Sequence, residues 1–265
     1  MISDILQNSK KVVIKIGSST IANDDGTVNH DFLKNFAEGI SFLKNQGIMP
    51  LVVSSGAMVA GVSLIDKWQR KNDLHYKQAL SAIGQVELMR CYSEQFSAYG
   101  IFVAQLLLTK EDFMDEERSL NTRNTLFTLT DEDVLPIVNE NDTVSTDQIK
   151  IGDNDTLSAR VANLWNASCL IILSDIDGVF TKNPKDFKDA KLIKEIRDID
   201  RDLANVQIGS ANSFGTGGVP TKIEAARMVN QYGIPMILAN GGKADILKNL
   251  YQGQVEATVF QPKEN

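Results

Sequence analysis

Residues 134–158 read VLPIVNENDTVSTDQIKIGDNDTLS. The first five, Val134 to Val138, form an apolar run of strand length, and the cluster Asp153-Asn154-Asp155 opens an apolar-periodic segment with the spacing of a helix. Between them lies a loop dense in carboxylates and amides, including Asn139, Glu140, Asn141, Asp142 and Asp147. A loop that leaves the carboxyl end of a strand and enters the amino end of a helix occupies the ligand-binding edge of an open α/β sheet. Aspartate is a favoured helix cap, and capping accounts for part of this composition. It does not account for Asn and Asp interleaved twice, as Asn139/Asn141/Asp142 and Asp153/Asn154/Asp155. Amides beside carboxylates suit a ligand that carries both an ammonium and a carboxylate.

The same alternation extends in both directions. KVVIKI at 11–16 reads as a strand, followed by Gly17-Ser-Ser. Phe32, Phe36, Ile40 and Leu43 share one helical face, and Gly47 is a helix stop. Residues 48–53 form the next strand, followed by Ser54-Ser55-Gly56-Ala57. Ala79, Ile83, Val86, Tyr92 and Phe96 fit the buried face of a longer helix that ends near Gly100. Residues 101–108 read as a strand, and Thr109 with Asp112 as a capping box that opens a helix. Further β runs fall at 134–138, 170–173 and 235–239, and Thr258 to Phe260 is a candidate closing strand. Strands alternating with helices imply right-handed β-α-β units and a mostly parallel sheet covered on both faces. No linker, repeat or low-complexity tract interrupts the pattern, so 1–265 reads as a single domain.

A chain of 265 residues with 43% hydrophobic and 23% charged residues is an ordinary globular domain with ample core. Its net charge of −7 argues against a nucleic-acid partner. MISDILQNSKK lacks a signal-peptide core, and no apolar run reaches membrane-spanning length, so a cytoplasmic location is expected. Cys91 and Cys169 sit among apolar residues without metal-ligand spacing and read as reduced core residues. His30 and His75 lie far from every motif, so neither histidine catalysis nor a protein-borne metal site is expected.

Four loops share the strand-to-helix position. Lys15 ends an apolar strand, where a buried ammonium needs an anionic partner. Ser54-Ser55-Gly56 offers backbone N–H groups to an anion. Residues 173–181, LSDIDGVFT, follow a third strand. Residues 215–222, GTGGVPTK, precede an apolar-periodic helix, and a glycine-rich loop with a lysine in the first helical turn is a recipe for holding phosphates. It is neither a Walker A loop nor GxGxxG. Lys222 in this reading faces solvent. Lysines would neutralise transferring phosphoryl oxygens, amides and carboxylates would hold an amino acid, and a carboxylate acceptor would need no general base.

VVIKIGSS, VVSSGAMVAG, PIVNENDTV, IKIGDNDTLSA, LIILSDIDGVFTKNP and GTGGVPTK, in that order between Lys11 and Phe260, resemble the amino acid kinase family, and the glutamate 5-kinase branch in particular. The resemblance implies an α/β/α three-layer sandwich around a central sheet of about eight mostly parallel strands. It implies transfer of a phosphoryl group from ATP to L-glutamate, with Mg²⁺ bound mainly through the nucleotide phosphates, as the first step of proline biosynthesis. Lys15 and Lys222 would stabilise the transferring group and Asp155 would orient them. Ser55, Asn139, Asp142, Asp153 and Asn154 would hold glutamate. Ser174, Asp175, Thr216, Gly217, Gly218, Val219, Pro220, Thr221, Lys222 and Lys15 would hold ATP; Ser174 stands where relatives often have Thr and keeps the hydroxyl. An amino-terminal lobe, roughly 1–165, would bind glutamate, and a carboxyl-terminal lobe, roughly 166–265, would bind ATP. The resemblance also implies feedback inhibition by proline, a homodimer or homotetramer, and a form without the carboxyl-terminal PUA domain of many members.

Three other readings stay open at this point. IILSDIDGV mimics the DxDG signature of haloacid dehalogenase phosphatases, with Asp175 as nucleophile, although no later strand ends in paired acids. A non-catalytic amino-acid-binding regulator on the same fold is opposed by the presence of both Lys15 and Lys222. Within the family, acetylglutamate kinase is the nearest alternative.

Overall fold

Branched apolar residues at 12, 13, 14 and 16 favour a strand buried on both faces. Lys11–Ile16 forms that strand, β1, in the computed structural model, which describes residues 1–23, 27–65, 73–145, 154–184, 186–204, 206 and 218–263. With β2 (Met49–Val53), β3 (Val103–Leu108), β4 (Leu135–Glu140), β5 (Cys169–Ser174), β6 (Glu195–Ile196), β7 (Met236–Asn240) and β8 (Thr258–Phe260) it builds an eight-stranded sheet, ordered β3-β4-β2-β1-β5-β7-β8-β6. Every pairing is parallel except β7 with β8. The carboxyl ends of β1, β2, β3, β4, β5 and β7 therefore share one edge.

The helices among the described residues are α1 (Ile2–Gln7), α2 (Ser18–Ile21), α3 (His30–Asn45), α4 (Ala57–Ile65), α5 (Leu74–Ser97), α6 (Glu116–Asp131), α7 (Asp155–Trp165), α8 (Ile199–Asp202), α9 (Val219–Asn230) and α10 (Ile246–Gln252). They cover both sheet faces. Val12, Ile14 and Ile16 pack with Leu6 of α1, Phe36 and Ile40 of α3, Tyr92 of α5 and Leu250 of α10. Val13 packs with Val161 and Trp165 of α7 and Ala226 of α9. Side chains alternate along a strand, so Lys15 shares the face of Val13 and enters the layer of α7 and α9. The expected three-layer sandwich is the observed architecture.

Several local expectations change. β3 begins at Val103, two positions later than the apolar run starts. Thr109 and Asp112 do form a capping box, but it opens a 3-10 turn, Lys110–Phe113, and Asp115 then caps α6. Thr258–Phe260 is a strand but not the outermost, because β6 pairs beyond it. His30 and His75 are exposed, and both cysteines are buried.

α5 forms where the periodicity places it, but it buries a different face. Tyr92 and Phe96 are in the core, whereas Ala79 is exposed and Val86 is 75% exposed. The buried face carries Leu80, Ser81, Gly84, Gln85 and Leu88 instead. Close approach to α4 selects that face. A methyl group on Gly84 would stand 1.7 Å from the Ala57 carbonyl oxygen, and one on Gly61 would stand 2.0 Å from the Leu80 carbonyl oxygen. Two glycines let the backbones touch, and a hydrophobic count cannot see glycines. Gly84→Ala must separate the pair, and overpacking of this kind costs about 1–3 kcal/mol. A thermal midpoint lowered by at least about 2 °C is expected, and an unchanged midpoint contradicts the packing described.

Candidate functional site

Three elements bring charge to one point at the carboxyl edge. Lys15 stands near the end of β1, in register with Val53 of β2 and Ile172 of β5. Asp155 is the first residue of α7, where the helix dipole favours a carboxylate. Lys222 lies in the first turn of α9. Lys15 Nζ is 2.5 Å from Asp155 Oδ1, and Lys222 Nζ is 3.1 Å from Oδ2. The Thr221 hydroxyl donates to Oδ2 at 3.0 Å and lies 2.9 Å from the Gly218 carbonyl.

Burial sets the value of this cluster. Asp155 is fully buried, and Lys15 and Lys222 are each only 4% exposed. Lys222 thus does not face solvent, contrary to the sequence expectation. It shares its helical face with Ala225, Ala226 and Val229, all buried. Among the described residues two ammoniums and one carboxylate are thus drawn together away from water, an arrangement that presents cations to an incoming anion. Gly17 lies beside the lysine, since a Cβ there would stand 3.9 Å from Lys15 Nζ.

A second cluster adjoins the first through the chain itself. Asn154, one residue before Asp155, is fully buried and its Nδ2 reaches Ser54 O at 2.5 Å, Ser55 Oγ at 3.1 Å and Asn139 Oδ1 at 2.8 Å. Asn139 follows Val138, which pairs with Val53, so it stands beside Ser54. Asn139 Nδ2 donates in turn to Gln85 Oε1 at 2.8 Å. The Ser54 hydroxyl lies 2.9 Å from the hydroxyl of buried Tyr92.

Asp142 belongs to the same end of the site. The Ser81 hydroxyl hydrogen-bonds its carboxylate, and Gln78 Nε2 donates to its backbone carbonyl at 3.1 Å. Burial pushes the Asp142 carboxyl up to about 6, against the opposing pull of Ser81. A neighbouring cation would draw it back down.

Ser174 ends β5, next to Gly17, whose N–H donates to the Leu173 carbonyl at 3.2 Å. The Ser174 hydroxyl donates to Asp175 Oδ1 at 3.1 Å. α9 opens at Val219 and Pro220 with Gly218 as N-cap and no side-chain cap, which leaves its first N–H groups to a ligand. A cleft of about 500 Å³ lies across the strand ends, on the α3 side, and reaches Ser174, Asp175, Asn240 and Lys243. Of the residues picked out from the sequence, Asp153, Thr216 and Gly217 lie outside the described residues. Ser81, Gln85 and Tyr92 were not anticipated as site residues. For the first two the signal was a polar stripe, Gln78, Ser81 and Gln85, at the helical spacing i, i+3, i+7.

Residues 10–240 match the amino acid kinase family. The chain is 58% identical over 260 residues to a glutamate 5-kinase of Alkaliphilus oremlandii, covering 98% of this chain and 99% of that protein. It is 42% identical to a glutamate 5-kinase of Caldanaerobacter subterraneus, covering 96% of this chain and 68% of that protein. Among solved structures, a UMP kinase from Bacillus anthracis superposes with a TM-score of 0.65 at 17% identity, covering 97% of each chain, a likeness of fold.

The shared carboxylate makes a stability prediction. Asp155→Asn takes the shared carboxylate from two buried ammoniums, and loss of about 3–5 kcal/mol is expected. Lys222→Met keeps the Lys15–Asp155 pair and should cost at least about 2 kcal/mol less. Urea unfolding of both variants checks the order, and a reversed order contradicts the central place given to the carboxylate.

Proposed function

The chain belongs to the amino acid kinase family, and from that premise we propose that it transfers the terminal phosphoryl group of ATP to the side-chain carboxylate of L-glutamate. The products are ADP and L-glutamyl 5-phosphate. The observation that carries this reading is the buried Lys15–Asp155–Lys222 cluster, which sets two ammoniums side by side at the strand ends. It adjoins a lining of amides and hydroxyls with a carboxylate, Asp142, at the far end. The substrate named for the Alkaliphilus relative supports glutamate as the acceptor.

In this mechanism an oxygen of the side-chain carboxylate attacks the terminal phosphorus in line. The bond to the bridging oxygen of ADP breaks, and no proton need move because the nucleophile is already an anion. Lys15 and Lys222 hold the equatorial phosphoryl oxygens as their charge redistributes. Asp155 fixes both ammoniums before the reaction, so little reorganisation is required. Ser55, Asn139 and Asn154 position glutamate, and Asp142 with Asp153 receives its ammonium. The segment Thr216 to Lys222, Ser174 and Asp175 hold the nucleotide. Glutamate thus lies against residues 1–165 and ATP against 166–265.

Among the described residues no three His, Cys, Asp or Glu side chains converge to hold a metal. In this reading the phosphates of ATP would hold Mg²⁺, which would shield their charge. No helix among the described residues is long and apolar enough to cross a membrane. A cytoplasmic homo-oligomer inhibited by proline belongs to the same proposal. Proline shares the α-ammonium and α-carboxylate of glutamate and lacks the accepting carboxylate.

Hydroxylamine traps acyl phosphates. Wild-type protein with MgATP should form a hydroxamate with L-glutamate and not with N-acetylglutamate or aspartate. Equal turnover of N-acetylglutamate contradicts recognition of a free ammonium. Lys222→Met should lower kcat by about 10²–10⁴, and a near-normal kcat removes Lys222 from the mechanism.

A further inference from the structure

α5 turns a polar stripe toward the amino-acid end of the site. Gln78, Ser81 and Gln85 lie on one helical face. Gln78 supports the backbone of Asp142 and Thr143, and Ser81 supports the Asp142 side chain. Gln85, 9% exposed, touches Asn139.

Backbone groups fix which way the amides point, a choice that electron-similar oxygen and nitrogen otherwise leave open. Asn139 Oδ1 accepts from the Glu140 N–H at 2.9 Å, and an N–H can only donate. Asn154 Nδ2 donates to the Ser54 carbonyl at 2.5 Å, and a carbonyl can only accept. The relay therefore runs in one sense: Asn154 donates to Asn139, and Asn139 donates to Gln85. Its terminus is Gln85 Nε2, a buried donor without a hydrogen-bond partner. Buried polar groups are nearly always paired, and an exception calls for a reason.

We propose that Gln85 Nε2 donates to the α-carboxylate of the acceptor amino acid and makes Gln85 a specificity-determining residue. The inference rests on the glutamate reading above. The relay begins at Asn154, beside Asp155, where the side-chain carboxylate must meet the phosphoryl group. It ends one amide beyond Asn139, on α5, next to the residues that hold Asp142. There the ammonium needs an acceptor and the α-carboxylate needs a donor. Asp142, held by Ser81, is the acceptor, and Gln85, one turn further along the same face, is the donor.

The test pairs two substrates with two variants. L-glutamate and its α-amide, L-isoglutamine, share the reacting carboxylate and the ammonium and differ only in the group assigned to Gln85. Gln85→Glu keeps an oxygen for Asn139, so the relay and the thermal midpoint persist, but it sets a carboxylate against the substrate's own. The KM for L-glutamate should rise about 10–100-fold, with kcat and the KM for ATP within about threefold of wild type. The KM for isoglutamine should stay level or fall, since its amide donates to the new carboxylate. Gln85→Met should cut the preference for glutamate over isoglutamine by about tenfold. Equal losses on both substrates in the two variants mean that Gln85 only supports Asn139, and they overturn the proposal. So does a Gln85→Glu enzyme with a wild-type glutamate KM. Failure of the wild type to form a hydroxamate from glutamate defeats the substrate reading itself, and is seen before any variant is made.

Discussion

One carboxylate holding two buried ammoniums is the constraint on which this structure turns. Asp155 reaches Lys15 with one oxygen and Lys222 with the other. Those partners come from β1 and α9, and Asp155 itself opens α7. The central strand and two helices of one layer must therefore dock in a single relative arrangement for the charges to meet. Were they to part, three charges in a low-dielectric interior would lose one another, which is far costlier than losing a surface ion pair. In the proposed reaction the same two ammoniums would hold the oxygens of the phosphoryl group in transfer. Stability of the fold and the proposed affinity for the reacting group thus draw on the same three side chains.

Away from that centre the site changes character. From Asp155 to Asn154 to Asn139 to Gln85 the chemistry passes from full charges to amide dipoles with a fixed sense of donation. Backbone atoms of Ser54 and Glu140 set that sense. Amides discriminate by direction, and in the proposed role they would hold a substrate without adding charge that competes with the lysines. The glycine contact between α4 and α5 serves this end as well, since it brings Gln78, Ser81 and Gln85 against the loop after β4.

Much of this was legible in the amino-acid sequence, and the exceptions have physical causes. Lys15 declared itself as a charge at the end of an apolar strand, and Asn139, Asn154 and Asp155 as an interleaved set of amides and a carboxylate, which the structure brings together at the strand ends. The meeting of Lys15 with Asp155 depends on strand parity and on sheet order, which couple residues far apart in the chain. Lys222 was expected in solvent because lysine usually is, yet its spacing from Ala225, Ala226 and Val229 placed it on the buried face. On α5 the apolar residues Ile83 and Val86 pointed to the wrong face. Glycine contact and hydrogen bonding decided the packing there, and neither contributes to a hydrophobic pattern. β6, Glu195–Ile196, is too short to announce itself and exists because β8 offers an edge.

The central claim is that a substrate carboxylate, and not water, attacks the phosphorus between Lys15 and Lys222. L-glutamate labelled with ¹⁸O in its side-chain carboxylate tests this most directly. Hydroxylamine attacks the carbonyl carbon of an acyl phosphate and expels phosphate together with the former carboxylate oxygen. The account predicts one ¹⁸O in each phosphate released, read as an isotope shift in the ³¹P spectrum. Phosphate free of ¹⁸O would show that water accepted the phosphoryl group, and would contradict the account.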